Sequence, residues 1–170
     1  DQVYSRFMPD AFIPYTMNGK VYALPVVQSF PMLFYRKDIL EDLNIPVPET
    51  WDDVYDMLKV FQEHEMQFGA LAGVTGVAGA DPVSSNSGDF PIFSAFLFQG
   101  KGGYYDEEGK KSALDTPESF EAYKKWCKLY TNYGLDIYFN FFNRFRTGEM
   151  PVGIADYTLY GLMDIAAPEI

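Results

Sequence analysis

Apolar positions along this chain fall into short runs separated by well-marked stops. Residues 21–25 predict an apolar strand meeting a proline-limited bend, and residues 32–35 a second, fully apolar strand. Residues 37–43 predict a short helical turn, halted by Asn44 and Pro46. Thr50 then stands three residues before Asp53, the spacing at which a hydroxyl and a carboxylate satisfy the free amides of a helix start. Trp51, Val54, Leu58 and Phe61 follow at helical spacing, so a helix is predicted from Trp51 to about Glu65.

The second half alternates in the same way. Residues 70–74 predict a short buried strand, and residues 73–86 a loop of small residues. Gly73, Gly76 and Gly79 in that loop have neither the dinucleotide spacing nor the lysine close of a phosphate-binding loop, so it reads as a connection. Residues 90–99 are apolar enough for a buried helix ending at Gly100, and residues 100–111 predict a turn region presenting an edge hairpin. Thr116, Pro117 and Glu118 mark another helix start, with a stop at Gly134. A helix over 139–147 closes at Gly148, a strand follows over 151–155, and a last helix over 157–166 precedes Pro168. Helices alternating with short apolar strands argue an α/β layered sheet.

Composition narrows the function classes. The 170 residues are 48% hydrophobic, which is globular, and no apolar run approaches the roughly 20 residues of a bilayer span. A formal charge of −11 makes a poor surface for phosphate backbones, so nucleic acid is not an expected partner. With one histidine, His64, and one cysteine, Cys127, the chain cannot build a nitrogen–sulfur metal centre, and no cofactor is expected. His64 reads as a helix-end residue. Cys127 shares helical spacing with Phe120, Tyr123 and Tyr130 and reads as a small buried hydrophobe. The cluster Asp106, Glu107, Glu108 lacks the alternating spacing of a calcium loop and reads as a solvated turn. Trp51 and Trp126, each with apolar partners at helical spacing, read as core anchors.

Aromatic residues are the outlier at 18%. Thirteen tyrosines suit surfaces that bind ligands both ring-shaped and polar, since a sugar has one face of C–H bonds and a rim of hydroxyls. Composition permits carbohydrate without selecting it.

Three ordered segments carry a family resemblance. They are Gly-Lys-x-Tyr-Ala-Leu-Pro from Gly19, Leu-Phe-Tyr-Arg-Lys-Asp-Ile-Leu from Leu33, and Pro-x-Thr-Trp-Asp-Asp from Pro48. A further match runs from Phe141 to Leu162, about a hundred residues on. Together they resemble the extracellular solute-binding proteins that deliver sugars to bacterial ABC importers. The resemblance implies an α/β fold, a type II periplasmic-binding-protein-like lobe with a mixed sheet flanked by helices. Residues 1–23 would be the tail of the first lobe and the interlobe crossover, and residues 24–170 an incomplete second lobe. It also implies a central piece of a protein roughly twice as long or more, outside the cytoplasm in the periplasm or lipid-anchored at the membrane's outer face. The partners would be a small-molecule solute, carbohydrate above all, and an ABC transporter membrane permease.

Three places map to the family's ligand cleft. After Pro25, the residues Gln28, Ser29 and Phe30 occupy a position from which some members direct a carboxylate, replaced here by neutral groups. Asp89 and Phe90 precede the apolar helix, where Asp89 would bind ligand or cap the helix. Asp156, Tyr157 and Tyr160 follow the last strand; there Tyr157 or Tyr160 would stack on a sugar and Asp156 accept hydroxyl hydrogens, or Asp156 would cap the helix. Many members carry Trp at that place. Two competing functions remain: a glycoside hydrolase working through paired carboxylates, and a module whose rings form a protein-docking patch.

Overall fold

The computed structural model describes residues 4–25, 30–70, 92–137 and 139–170. The chain divides into two compact units, Asp1–Phe30 and Pro31–Ile170.

In the first unit two 3₁₀ turns, Tyr4–Arg6 and Pro9–Tyr15, lead into a small hairpin of β1 (Thr16–Met17) and β2 (Lys20–Val21). Asn18 and Gly19 form its turn with φ of 51° and 73°. These are the left-handed values a two-residue hairpin of this hand requires, and Asn-Gly supplies them at little cost. The strand expected over 21–25 therefore shrinks to Val21. Residues 22–25 carry no strand, consistent with Pro25, which lacks an amide hydrogen and restricts the residue before it. Phe12 holds the unit together, its ring edge-on to Tyr4 at 5.2 Å and to Phe7 at 5.5 Å.

The second unit is a mixed three-stranded sheet with helices on both faces. Its elements are β3 (Pro31–Tyr35), α1 (Lys37–Asp42), α2 (Trp51–Glu63), β4 (Phe68–Ala70), α3 (Ile92–Gln99), α4 (Pro117–Thr131), α5 (Phe141–Thr147), β5 (Val152–Asp156) and α6 (Thr158–Ala166). The strand order is β3-β5-β4, so the last strand in sequence is central. It runs antiparallel to β3 and parallel to β4.

Register assigns the faces. Ile154 pairs with Leu33 and Ala70, and Val152 with Tyr35 and Phe68. Directly paired residues share a side of the sheet, and on this side Val152, Phe68 and Ala70 are fully buried with α2, α3 and α4, Leu33 and Ile154 packing alongside. Phe34 and Ala155 lie on the other side, against a second cluster of Phe139, Phe141, Phe145, Met150 and Leu159. The fully apolar strand read at 32–35 is present, but at the sheet edge: Met32 and Tyr35 are 42% and 44% exposed.

The helix starts read at Thr50 and Thr116 are capped as expected. Thr50 Oγ1 accepts from the amide of Asp53 at 3.2 Å, while Asp53 Oδ2 accepts from the amides of Thr50 (2.8 Å) and Glu49 (3.1 Å). The Thr50 hydroxyl and these amides hold the Asp53 carboxyl below the usual carboxylate range. Thr116 caps α4 through the amide of Ser119, and Asn140 caps α5 through that of Asn143. Gly148 ends α5 at φ 84°, where glycine pays least. His64 is the C-cap of α2.

One expectation fails on α4. Phe120 and Tyr123 are 55% and 48% exposed, and Cys127 is half-buried. The face turned to the core is Ser119, Ala122 and Leu129. Close approach explains the choice: a Cβ on Gly102 would lie 2.7 Å from Ser119 Oγ and 2.8 Å from Leu97 Cδ1. The seam with α3 admits only small side chains there. The edge hairpin expected near 100–111 reduces to a single antiparallel bridge, Tyr105 with Ser112.

Candidate functional site

The carboxyl end of β5 collects the chemistry. Asp156 is its last residue, opposite Pro31 on β3, and Tyr157 leads directly into α6. At this end β5 is paired with β3 alone, since β4 ends at Ala70 opposite Ile154, and strand ends of an α/β sheet are where such folds place ligands.

Asp156 is half-buried. Its Oδ1 accepts two hydrogen bonds from Thr158, from the amide at 2.8 Å and from Oγ1 at 2.6 Å. The N-cap of α6 is Tyr157, so Asp156 is not the cap residue; its contact with Thr158 is a local turn made from one position before the cap. It engages one oxygen; among the described residues Oδ2 takes no hydrogen bond. A carboxylate fixed through one oxygen can still accept a hydroxyl through the other. Tyr157 and Tyr160 are 44% and 62% exposed, and the amide of Tyr160 donates to the carbonyl of Tyr157 at 3.0 Å, closing the first turn of α6. Residues three apart on a helical turn are neighbours, so two exposed tyrosines one turn apart follow one oriented carboxylate along the chain.

Of the remaining sequence candidates, Phe30 alone is described. Phe30 is 49% exposed and ends the first unit. Gln28, Ser29, Asp89 and Phe90 lie outside the described residues, as does the loop read at 73–86.

Two further grooves escape the sequence reading. One, of ≈ 470 Å³, lies between the sheet and the start of α2; the other, of ≈ 370 Å³, lies between α3 and the first turns of α4. Trp51, Gln99 and Lys125 line both. Trp51 is therefore more than a core anchor. One face of its indole stacks on Phe96 with centroids 3.9 Å apart, and its Nε1 donates to Gln99 Oε1 at 2.7 Å, yet the side chain is only half-buried. Trp126 fits the anchor reading better, packed among Phe93, Tyr123 and Tyr130. A signal for Trp51 was present: an indole N–H seeks a polar partner, and Gln99 is the polar residue that closes the largely apolar α3.

The acidic turn carries its own partners. Asp106 Oδ1 accepts from the amide of Lys110 at 2.8 Å, and Lys110 Nζ lies 2.8 Å from Glu108. Among the described residues no cluster of three or more His, Cys, Asp or Glu is arranged to hold a metal.

Comparison with known proteins gives one consistent result. The profile of the family described as "Bacterial extracellular solute-binding protein" matches residues 2–165. A multiple sugar-binding protein of Streptococcus mutans is 32% identical over 62 residues, covering 36% of this chain and 15% of that protein. A maltotriose-binding protein of Pyrococcus abyssi is 25% identical over 126 residues, 73% of this chain and 24% of that one. Among solved structures, an ABC transporter solute-binding protein of Thermotoga lettingae bound with α-D-tagatose superposes with a TM-score of 0.75 at 20% identity, covering 98% of this chain and 43% of that one. The fold is that of a type II periplasmic-binding-protein-like lobe, and the chain spans less than half the length of these relatives.

Proposed function

Because the chain belongs to the bacterial extracellular solute-binding proteins, we propose that it supplies one lobe of a receptor for a sugar or oligosaccharide, which is handed to an ABC transporter permease. The residues to about 23 are read as the tail of the other lobe and the crossover, and those from 24 as the ligand-gripping second lobe. The work is binding, with no bond made or broken. A ligand drives closure only by binding the closed state more tightly than the open one. The protein would act outside the cytoplasm, in the periplasm or anchored by lipid at the membrane's outer face.

The observation that carries this reading is the trio Asp156, Tyr157 and Tyr160 at the carboxyl end of the central strand. Phenol rings can cover the C–H face of a sugar. The Asp156 carboxylate, held by Thr158, can accept from its hydroxyl rim. Gln28, Ser29, Phe30, Asp89 and Phe90 are proposed to complete the contacts. The sugar-bound relatives favour the same ligand class.

Calorimetric titration with tagatose, maltose and maltotriose tests the reading, on this chain and on a polypeptide of the relatives' full length. The full-length form is expected to bind at least one saccharide and return it chemically intact. The 170-residue chain is expected to bind it far more weakly. Equal affinity in the two forms, or release of new reducing ends, would overturn the two-lobe account.

A further inference from the structure

We propose that the two grooves meeting at Trp51 form one docking surface for a basic peptide segment of a partner protein, with an apolar side chain at its centre. This inference is independent of the saccharide reading. It concerns residues other than the trio at the end of β5.

The geometry is that of a channel with an apolar floor and an acidic rim. Leu33, Phe68 and Ile154 floor the larger groove, and Glu49 and Asp52 stand on its edge. Glu118 stands on the edge of the smaller. All three carboxylates are exposed. Glu121 also lines the smaller groove but is engaged by Lys124 at 2.6 Å. Lys125 is the one cationic residue lining either groove among the described residues. Acid therefore flanks the aromatic centre on both sides.

Charge decides the occupant: three exposed carboxylates, Glu49, Asp52 and Glu118, stand against one lysine along the two grooves. Lysine or arginine side chains bring donors alone and opposite charge. An aliphatic or aromatic residue between them would fill the floor beside Trp51. Such a surface gains from electrostatic complementarity chiefly in selectivity and association rate.

The test uses Trp51 as its own reporter. The chain has two tryptophans, so Trp126→Phe leaves Trp51 alone. The probe is a blocked peptide, Lys-Arg-Leu-Lys-Phe-Arg, compared with a counterpart bearing glutamate at each basic position. The basic peptide is expected to change Trp51 fluorescence saturably, with weakening at about 0.5 M salt. Combining Glu49→Gln, Asp52→Asn and Glu118→Gln is expected to reduce affinity about tenfold. Circular dichroism confirms that this surface variant is folded, and shifts of the Gln99 side-chain amide report the same site by NMR. A response equal for the acidic peptide, one unchanged in the triple variant, none at all, or a response to maltotriose in its place would each overturn the proposal.

Discussion

Gly69 and Gly153 are register partners on the parallel strands β4 and β5, and the ring of Phe141 from α5 lies across both. A Cβ built on Gly69 would stand 2.5 Å from Phe141 Cδ2; one on Gly153 would stand 2.6 Å from Phe141 Cζ and 2.8 Å from the Gly69 carbonyl oxygen. The glycine pair is a socket, and the ring fixes how α5 seats on the sheet. The same central strand ends at Asp156, so this packing also sets where the candidate site stands.

Gly153→Ala should therefore destabilise the chain by about 1–3 kcal/mol or more through overpacking. Phe141→Ala should cost about 3–5 kcal/mol through the cavity it leaves. The double variant should be less damaged than the sum of the two, since removing the ring relieves the clash. Urea unfolding of all three measures the coupling. Simple additivity would show that the socket does not exist.

Thr50→Ala should cost about 1 kcal/mol, because the start of α2 loses its hydroxyl cap. The same cap predicts an acid response. Asp53 is held below its ordinary value by Thr50 and two amides, and Asp38 by the guanidinium of Arg36. A lowered carboxyl contributes stability that is present above the unfolded value of about 3.9 and is lost as pH falls through the folded value. The melting temperature should fall on acidification below about pH 4, and less so in Asp53→Asn and Asp38→Asn.

Tyrosine titration gives the opposite limb. Burial, with a further push from Asp52, raises the Tyr55 phenol to about 12; burial raises that of Tyr130 to about 12 as well. Tyr55 donates to the Lys125 carbonyl at 2.7 Å and Tyr130 to the Ala70 carbonyl at 3.1 Å. A raised phenol contributes stability present below the unfolded value of about 10 and lost as pH rises through about 12. Tyr55→Phe and Tyr130→Phe should each lower stability at neutral pH by about 1 kcal/mol. Each should also remove one late step from the alkaline absorbance titration.

Arg36 joins the end of β3 to the end of α5. Its Nε and Nη2 donate to the Asp38 carboxylate at 2.8 and 2.5 Å, while Nη1 donates to the carbonyls of Phe145 (3.3 Å) and Arg146 (3.1 Å). A lysine cannot reproduce this planar fork. Arg36→Lys should lower the unfolding midpoint nearly as much as Arg36→Ala, whereas Lys37→Ala, whose partner Glu41 is 68% exposed, should change little.

What could be read in advance was local chemistry. Thr50 with Asp53, Thr116 with Pro117, and Gly148 announced helix ends that the structure reproduces, because a cap is decided within four residues. Asn18-Gly19 is an equally local hairpin signal, but the strands it joins are only two residues each, too short to carry an alternating pattern. Long-range relationships were not legible. That Ser119 and Ala122, and not Tyr123, would face the core depends on how closely Gly102 and Gly100 approach α4. The placing of Trp51 over two grooves depends on Gln99, which lies 48 residues away. At the site, Asp156 was legible both as cap and as ligand group; the structure settles its bond to Thr158, a partner two residues on.

The most direct measurement is the binding of maltotriose to the full-length protein carrying Asp156→Asn or Tyr157→Ala, followed by calorimetry. Asn can keep the contact to Thr158 while losing the charge, and Ala removes a ring that follows the last paired residue of β5. Each substitution should weaken binding by about tenfold or more with the melting temperature nearly unchanged. Wild-type affinity in both variants would contradict the assignment of sugar recognition to the carboxyl end of β5.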